Sequence, residues 1–170
     1  MAERKGLVTM KGNPVTLVGN EIRVGQQAPD FKVVANDLSV VTLNVFKGKK
    51  CIICAVPSLD TSVCDAETKR FNQEAAKLPD VNVLTISMDL PFAQKRWCTQ
   101  ANAANVKTLS DHREASFGNA YGVLIKEFGL LARSIFVLDS QGKIQYVQLV
   151  KEIASEPDYN AVLDAVKKIN

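Results

Sequence analysis

Four cysteines carry the redox and nucleophilic options of this chain. Cys51 and Cys54 form CIIC, the spacing of a dithiol pair or half a metal knuckle. Cys64 ends PSLDTSVC (57–64), and Cys98 lies in PFAQKRWCTQAN (91–102). A chain of 170 residues buries a sizeable core without disulfide staples. Each thiol is therefore packing, metal ligand or catalyst.

CIIC reads as packing. It begins a compact apolar run, CIICAV, bounded by Lys50 and Pro57, which is the pattern of a buried strand. Residues three apart on a strand point to opposite faces, so Cys51 and Cys54 diverge. A thioredoxin-type pair needs both sulfurs at a helix N-terminus, and no helix signal follows Cys54 until Thr61. A zinc site needs two further ligands at suitable spacing, and His112 is the sole histidine.

Cys64 sits differently, in the first turn of a helix reached by a loop from the C-terminal end of that strand. Open α/β sheets place ligands and catalytic groups there. Unpaired N–H groups and the positive helix end favour an anionic sulfur. An ordinary thiol is only about 3% ionised at pH 7. Making the anion dominant takes about 3.4 kcal/mol, and a helix end supplies about 0.3–1. A second positive group is required.

Arg133 is the candidate, a single guanidinium leading GLLARSIFVLD into an apolar strand; a strand-end arginine reaching solvent is the alternative. Arg70 and Arg96 lie in polar helical contexts, and Arg70 points elsewhere, about 600° around the helix from Cys64. Thr61 admits two roles, helix N-cap or a hydroxyl that orients a substrate oxygen. Pro57 fixes the loop, either as simple turn duty or to keep water off the sulfur. Cys98, beside Trp97, is either packed or a resolving thiol that condenses with a sulfenic acid.

The elements that must position these groups follow from periodicity. A hairpin is expected around KGNP, with strands 7–10 and 15–18, followed by strands 31–35 and 40–43. SVCDAETKRFNQEAAKL (62–78) has helical spacing, and VNVLTIS (81–87) is a strand. Residues 51–87 thus form a βαβ unit with a right-handed crossover. Pro91 opens a helix over 91–104, a short strand spans 106–109 and a helix 114–121. Strands 134–139 and 143–150 flank SQG as a hairpin, and Pro157 opens a last helix to 168. The expected fold is α/β, a central mixed sheet with helices on both faces, in one domain spanning 1–170.

Composition excludes other classes. The net charge is +3, and the basic clusters are limited to Lys47, Lys49 and Lys50, and to Lys167 and Lys168. Solvated lysines explain them without nucleic acid. MAERKGLVTMKGN lacks a secretory apolar region, and CIICAV is far too short to span a bilayer, so neither secretion nor a membrane is expected and the location is cytoplasmic.

PSLDTSVC spells P-x-x-x-T-x-x-C, which resembles the peroxidatic loop of peroxiredoxins. With DLPFAQKRWC (89–98) downstream it is similar to the bacterial thiol peroxidase branch, an atypical two-cysteine peroxiredoxin. GNPVTLVG, FNQEA, AYGV, the LLAR run ending at Arg133 and QLVKEIASEPDY extend the resemblance almost end to end. It implies a thioredoxin-like fold, a homodimer and no bound cofactor. It implies reduction of hydrogen peroxide and organic hydroperoxides, with thioredoxin as the reductant. By motif, Cys64 is the peroxidatic cysteine, Pro57 and Thr61 shape its loop, Arg133 holds thiolate and peroxide, and Cys98 is the resolving cysteine of the same subunit. Cys51 and Cys54 fall outside the family pattern. Because Cys64 and Cys98 are expected on separate helices, closing a disulfide between them requires local unwinding around 61–66 or 96–100. The rival classes are a disulfide reductase using CIIC and a binding protein with inert cysteines.

Overall fold

The computed structural model describes residues 1–170. The chain begins with a hairpin of β1 (Glu3–Met10) and β2 (Asn13–Val18), turned by Lys11 and Gly12, both at positive φ. Short strands β3 (Lys32–Val34) and β4 (Val40–Thr42) precede a 3-10 turn at Leu43–Phe46. The βαβ unit follows as β5 (Lys50–Ala55), α1 (Ser62–Ala75) and β6 (Val81–Ser87), with β5 and β6 parallel. Next come α2 (Pro91–Ala101), β7 (Lys107–Ser110), α3 (Ser116–Ala120), β8 (Leu124–Ile125) and β9 (Leu130–Leu131). The chain finishes with β10 (Ser134–Leu138), antiparallel to β11 (Ile144–Leu149), and α4 (Tyr159–Lys167).

Seven strands make the central mixed sheet, in the order β11-β10-β5-β6-β7-β3-β4; β1-β2-β8-β9 form a smaller sheet. The central strands are apolar without alternation because both their faces are covered. Cys51, Ile53 and Ala55 of β5 join one core cluster with Leu84, Ile86, Phe136 and the small sheet's Leu17 and Ile125. Ile52, Cys54 and Val56 join the other, with Phe71 of α1, Trp97 of α2 and Val162 and Val166 of α4. The expected divergence of Cys51 and Cys54 is what the pleat produces.

Boundaries differ from expectation where caps intervene. Helix α1 stops at Ala75, and residues 76–78 tighten into a turn ahead of Pro79, whose ring disfavours a helical residue before it. Helix α2 stops at Ala101 because Asn102 turns left-handed, at φ 51°. Pro157 does not open α4: Asp158 caps it by accepting the Ala161 N–H, leaving the proline outside the helix. The two-residue strands β8 and β9 are too short to leave a period.

The hairpin tip is stapled to the segment after β11. Glu152 accepts hydrogen bonds from the Thr9 hydroxyl and from the Lys11, Gly12 and Ala154 backbone N–H groups. The Thr9 hydroxyl and these amides hold its carboxyl down at about 2, against an ordinary 4.5. A depressed carboxyl stabilises the fold above its unfolded pKa and loses that contribution as pH falls through the folded one. Protection of the Lys11, Gly12 and Ala154 amides is therefore expected to hold above pH 4.5 and to fall as pH approaches about 2. Hydrogen exchange by NMR, corrected for intrinsic rates, checks this.

Candidate active site

Strand β5 ends at Ala55, and the loop through Pro57 carries the chain to Thr61, the N-cap residue of α1. Asp89, just past β6, fastens that loop by accepting from the Ser58 hydroxyl at 2.7 Å and the Leu59 N–H at 2.8 Å. The Thr61 hydroxyl does not cap the helix; it donates to the Ser58 carbonyl at 2.9 Å. The N–H groups of Ser62, Val63 and Cys64 are thus left without a protein acceptor at the positive end of α1.

Cys64 lies in this first turn with no solvent exposure. Arg133 immediately precedes β10 and is 2% exposed. Its Nη2 donates to the Cys64 sulfur at 3.2 Å, its Nε donates to the Ile153 carbonyl at 2.9 Å, and its Nη1 pairs with Glu67. A buried arginine with all three faces of its fork engaged is fixed in position. The strand-end alternative, a guanidinium reaching solvent, is excluded by this burial.

Glu67 is the residue that sequence reasoning misses. DAETKR reads as a solvated helical face, yet Glu67 is fully buried. It lies three positions after Cys64, on the same side of α1, and that spacing was the available signal. One carboxylate oxygen takes Arg133; the other has no hydrogen-bond partner. Burial pushes the Glu67 carboxyl up to about 7, although Arg133 pulls the other way. Burial also works against the charge of Arg133, but Glu67 and Cys64 outweigh it and hold the guanidinium ionised.

A cavity of about 310 Å³ opens beside these groups. Pro57, Thr61, Ser62, Val63 and Arg133 line it from the active loop and strand, Ile153 and Ala154 from the segment after β11, and Met10 and Lys11 from the hairpin tip. Cys98 is placed elsewhere, in the last turn of α2, where its sulfur is 3.3 Å from the Thr108 hydroxyl. Its neighbour Trp97 ties α2 to α1 by donating to Asp65 at 2.9 Å. All four cysteines are free. Burial pushes the thiols of Cys51 and Cys54 well up, which removes them as nucleophiles. Arg70 pairs with Glu74 at 3.2 Å and lies over the Tyr159 ring, away from the sulfur.

Residues 23–163 match the redoxin family. A curated thiol peroxidase of Bacillus subtilis (strain 168) is 57% identical over 162 residues, covering 95% of this chain and 97% of the relative. A thiol peroxidase of Halalkalibacterium halodurans is also 57% identical, over 160 residues, 94% of this chain and 96% of the relative. Among solved structures, a peroxiredoxin-like protein from Aquifex aeolicus superposes with a TM-score of 0.89 at 49% identity, covering 95% of each chain. A thiol peroxidase from Chromobacterium violaceum shares the fold, with a TM-score of 0.86 at 21% identity and 95% coverage of each chain. The central mixed sheet flanked by helices is the thioredoxin-like fold that the motifs implied. With a loop that delivers one sulfur to a buried guanidinium, and relatives matched almost end to end, the chain belongs to the redoxin family, in its thiol peroxidase branch.

Proposed function

We propose that this chain is a thiol-dependent peroxidase that reduces hydrogen peroxide and organic hydroperoxides through Cys64, with thioredoxin as the reductant. The observation that carries the reading is the 3.2 Å contact of Arg133 with a Cys64 sulfur screened from solvent at a helix N-terminus. The Cys64 thiolate attacks the terminal peroxide oxygen, the O–O bond breaks, and the departing oxygen takes a proton and leaves as water or an alcohol. Charge moving onto that oxygen is met by Arg133 and by the free first-turn N–H groups. Thr61 and Pro57 shape the cavity wall in which the peroxide lies. Cys64 is left as a sulfenic acid.

Cys98 is the proposed resolving residue. Its thiol condenses with the sulfenic acid, forming a Cys64–Cys98 disulfide and releasing water. Thioredoxin's dithiol supplies two electrons and two protons, returning both cysteines to thiols as its own pair becomes a disulfide. Cys64 and Cys98 lie on separate helices, and their sulfurs have no common partner. The disulfide needs the two Cα atoms within roughly 7 Å, and the proposed route to it is local unwinding of α1 or α2. The proposed setting is a homodimer in the cytoplasm, with no bound cofactor; no helix is long and apolar enough to cross a membrane.

A disulfide map by mass spectrometry after one equivalent of peroxide tests this. The expected product is a Cys64–Cys98 link with Cys51 and Cys54 still reduced. A Cys51–Cys54 link instead would favour the disulfide reductase reading.

A further inference from the structure

The surroundings of Cys98 reveal a device that the proposed chemistry does not by itself require. Thr108, on β7, donates its hydroxyl proton to the Asn36 carbonyl oxygen at 3.1 Å. That hydroxyl has one proton to give, so the 3.3 Å contact between Cys98 and Thr108 is made by the thiol as donor. The Asn36 amide nitrogen lies 4.0 Å from the Cys98 sulfur and donates back to it. Sulfur, hydroxyl and amide close a ring of three hydrogen bonds. It joins α2 to β7 and to Asn36, just beyond the end of β3.

The backbone locates what the ring holds. Ala103 N–H bonds to the Cys98 carbonyl at 3.0 Å and Asn102 N–H to the Thr99 carbonyl at 3.3 Å, around a left-handed Asn102. This is the doubly bonded helix stop in which Cys98 supplies the innermost carbonyl. Cys98 therefore belongs to the final turn of α2, the part of a helix that opens at least cost. Trp97 pins the preceding position to α1. Side-chain anchorage of the Cys98 sulfur itself comes from Thr108 and Asn36.

We propose that Asn36 and Thr108 are positioning residues that latch the last turn of α2 shut, so that their release of Cys98 sets the rate of disulfide formation. The inference rests on the reading of Cys98 as the resolving cysteine. In the reduced protein the ring keeps the thiol on β7. After Cys64 is oxidised, the sulfur must surrender both partners before it can bond to the sulfenic acid. The latch thereby lengthens the life of the sulfenic acid and leaves it open to a second peroxide, which would carry it to sulfinic acid.

Stopped-flow fluorescence tests the latch, with Trp97, the sole tryptophan, as reporter beside Cys98. Oxidation of Cys64 gives a phase whose rate rises with peroxide, and disulfide closure gives one independent of it. Thr108→Val keeps the shape but removes the hydroxyl, and is expected to speed the second phase about fivefold, the scale of one neutral hydrogen bond. The first phase should not change. Thr108→Ser restores the hydroxyl and should return the second phase to the wild-type rate. Mass spectrometry at high peroxide should find less sulfinic Cys64 in the valine variant. Asn36→Ala, changed on a partly exposed turn, should speed the second phase similarly and serves if the valine variant does not fold. A second phase unchanged or slower in the variants overturns the latch. If the wild type shows no peroxide-independent phase that disappears in Cys98→Ser, the resolving role of Cys98 falls, and the latch with it.

Discussion

Arg133→Met is expected to lower kcat/KM for hydroperoxide by about 10²–10³, the cost of removing one preorganised donor from developing charge. The same change leaves Glu67 buried without its cation and the Ile153 carbonyl without a donor. Below neutral pH the carboxyl escapes by binding a proton; at pH 7 and above it must either be protonated or stay charged in the core. The expected loss of stability is therefore about 3 kcal/mol near pH 9, where wild-type Glu67 is ionised, and smaller near pH 5, where the carboxyl is protonated with or without Arg133. Urea unfolding at both values measures it. Glu67→Leu in the Arg133→Met background should recover most of the stability and none of the activity, which separates the two duties of the guanidinium. Arg133→Lys should fall short as well, since a point charge does not serve a sulfur, a carboxylate and a carbonyl at once.

Cys64→Ser is expected to reduce peroxide consumption to the uncatalysed background, because a hydroxyl in the same place is not ionised at neutral pH and cannot form a sulfenic acid. Cys98→Ser should behave differently. It should consume about one equivalent of peroxide per chain and then stop, with thioredoxin no longer supporting turnover. A peroxide electrode, read with and without the thioredoxin system, distinguishes the two outcomes. Residual steady turnover in Cys64→Ser would overturn the role of Cys64 and place the catalytic group elsewhere in the chain.

The parts that a sequence encodes locally were readable. The unbroken apolar run of β5 announces a strand covered on both faces, and the pleat alone separates Cys51 from Cys54. Cys64 could be placed because a strand, a proline loop and a helix start occur in immediate succession. Arg133 stood out as a charge opening an apolar strand, but its partners could not be read, since they come from α1 and from Ile153. Glu67 and Asp89 were lost for the same reason. Glu67 is a carboxylate in a polar stretch whose burial depends on Arg133, and the half-buried Asp89 takes its role from Ser58 and Leu59 on a loop distant in sequence. The Thr61 hydroxyl shows a different limit: Thr61 does occupy the cap position, but its hydroxyl is turned to donate to the Ser58 carbonyl, and its oxygen accepts from no helix N–H.

The hairpin lies outside the stretch that matches the redoxin family, which begins at residue 23, yet Met10 and Lys11 form part of the cavity wall. It is built into the molecule by the pairing of β2 with β8 and by Val8, Val15 and Leu17 in the core, and its tip is held by the carboxylate clasp at Glu152. The other end of that clasp adjoins Ile153, whose carbonyl steadies Arg133. Cutting residues 3–18 away would accordingly remove one wall of the cavity and the Thr9, Lys11 and Gly12 partners of Glu152, and would loosen the guanidinium from a distance.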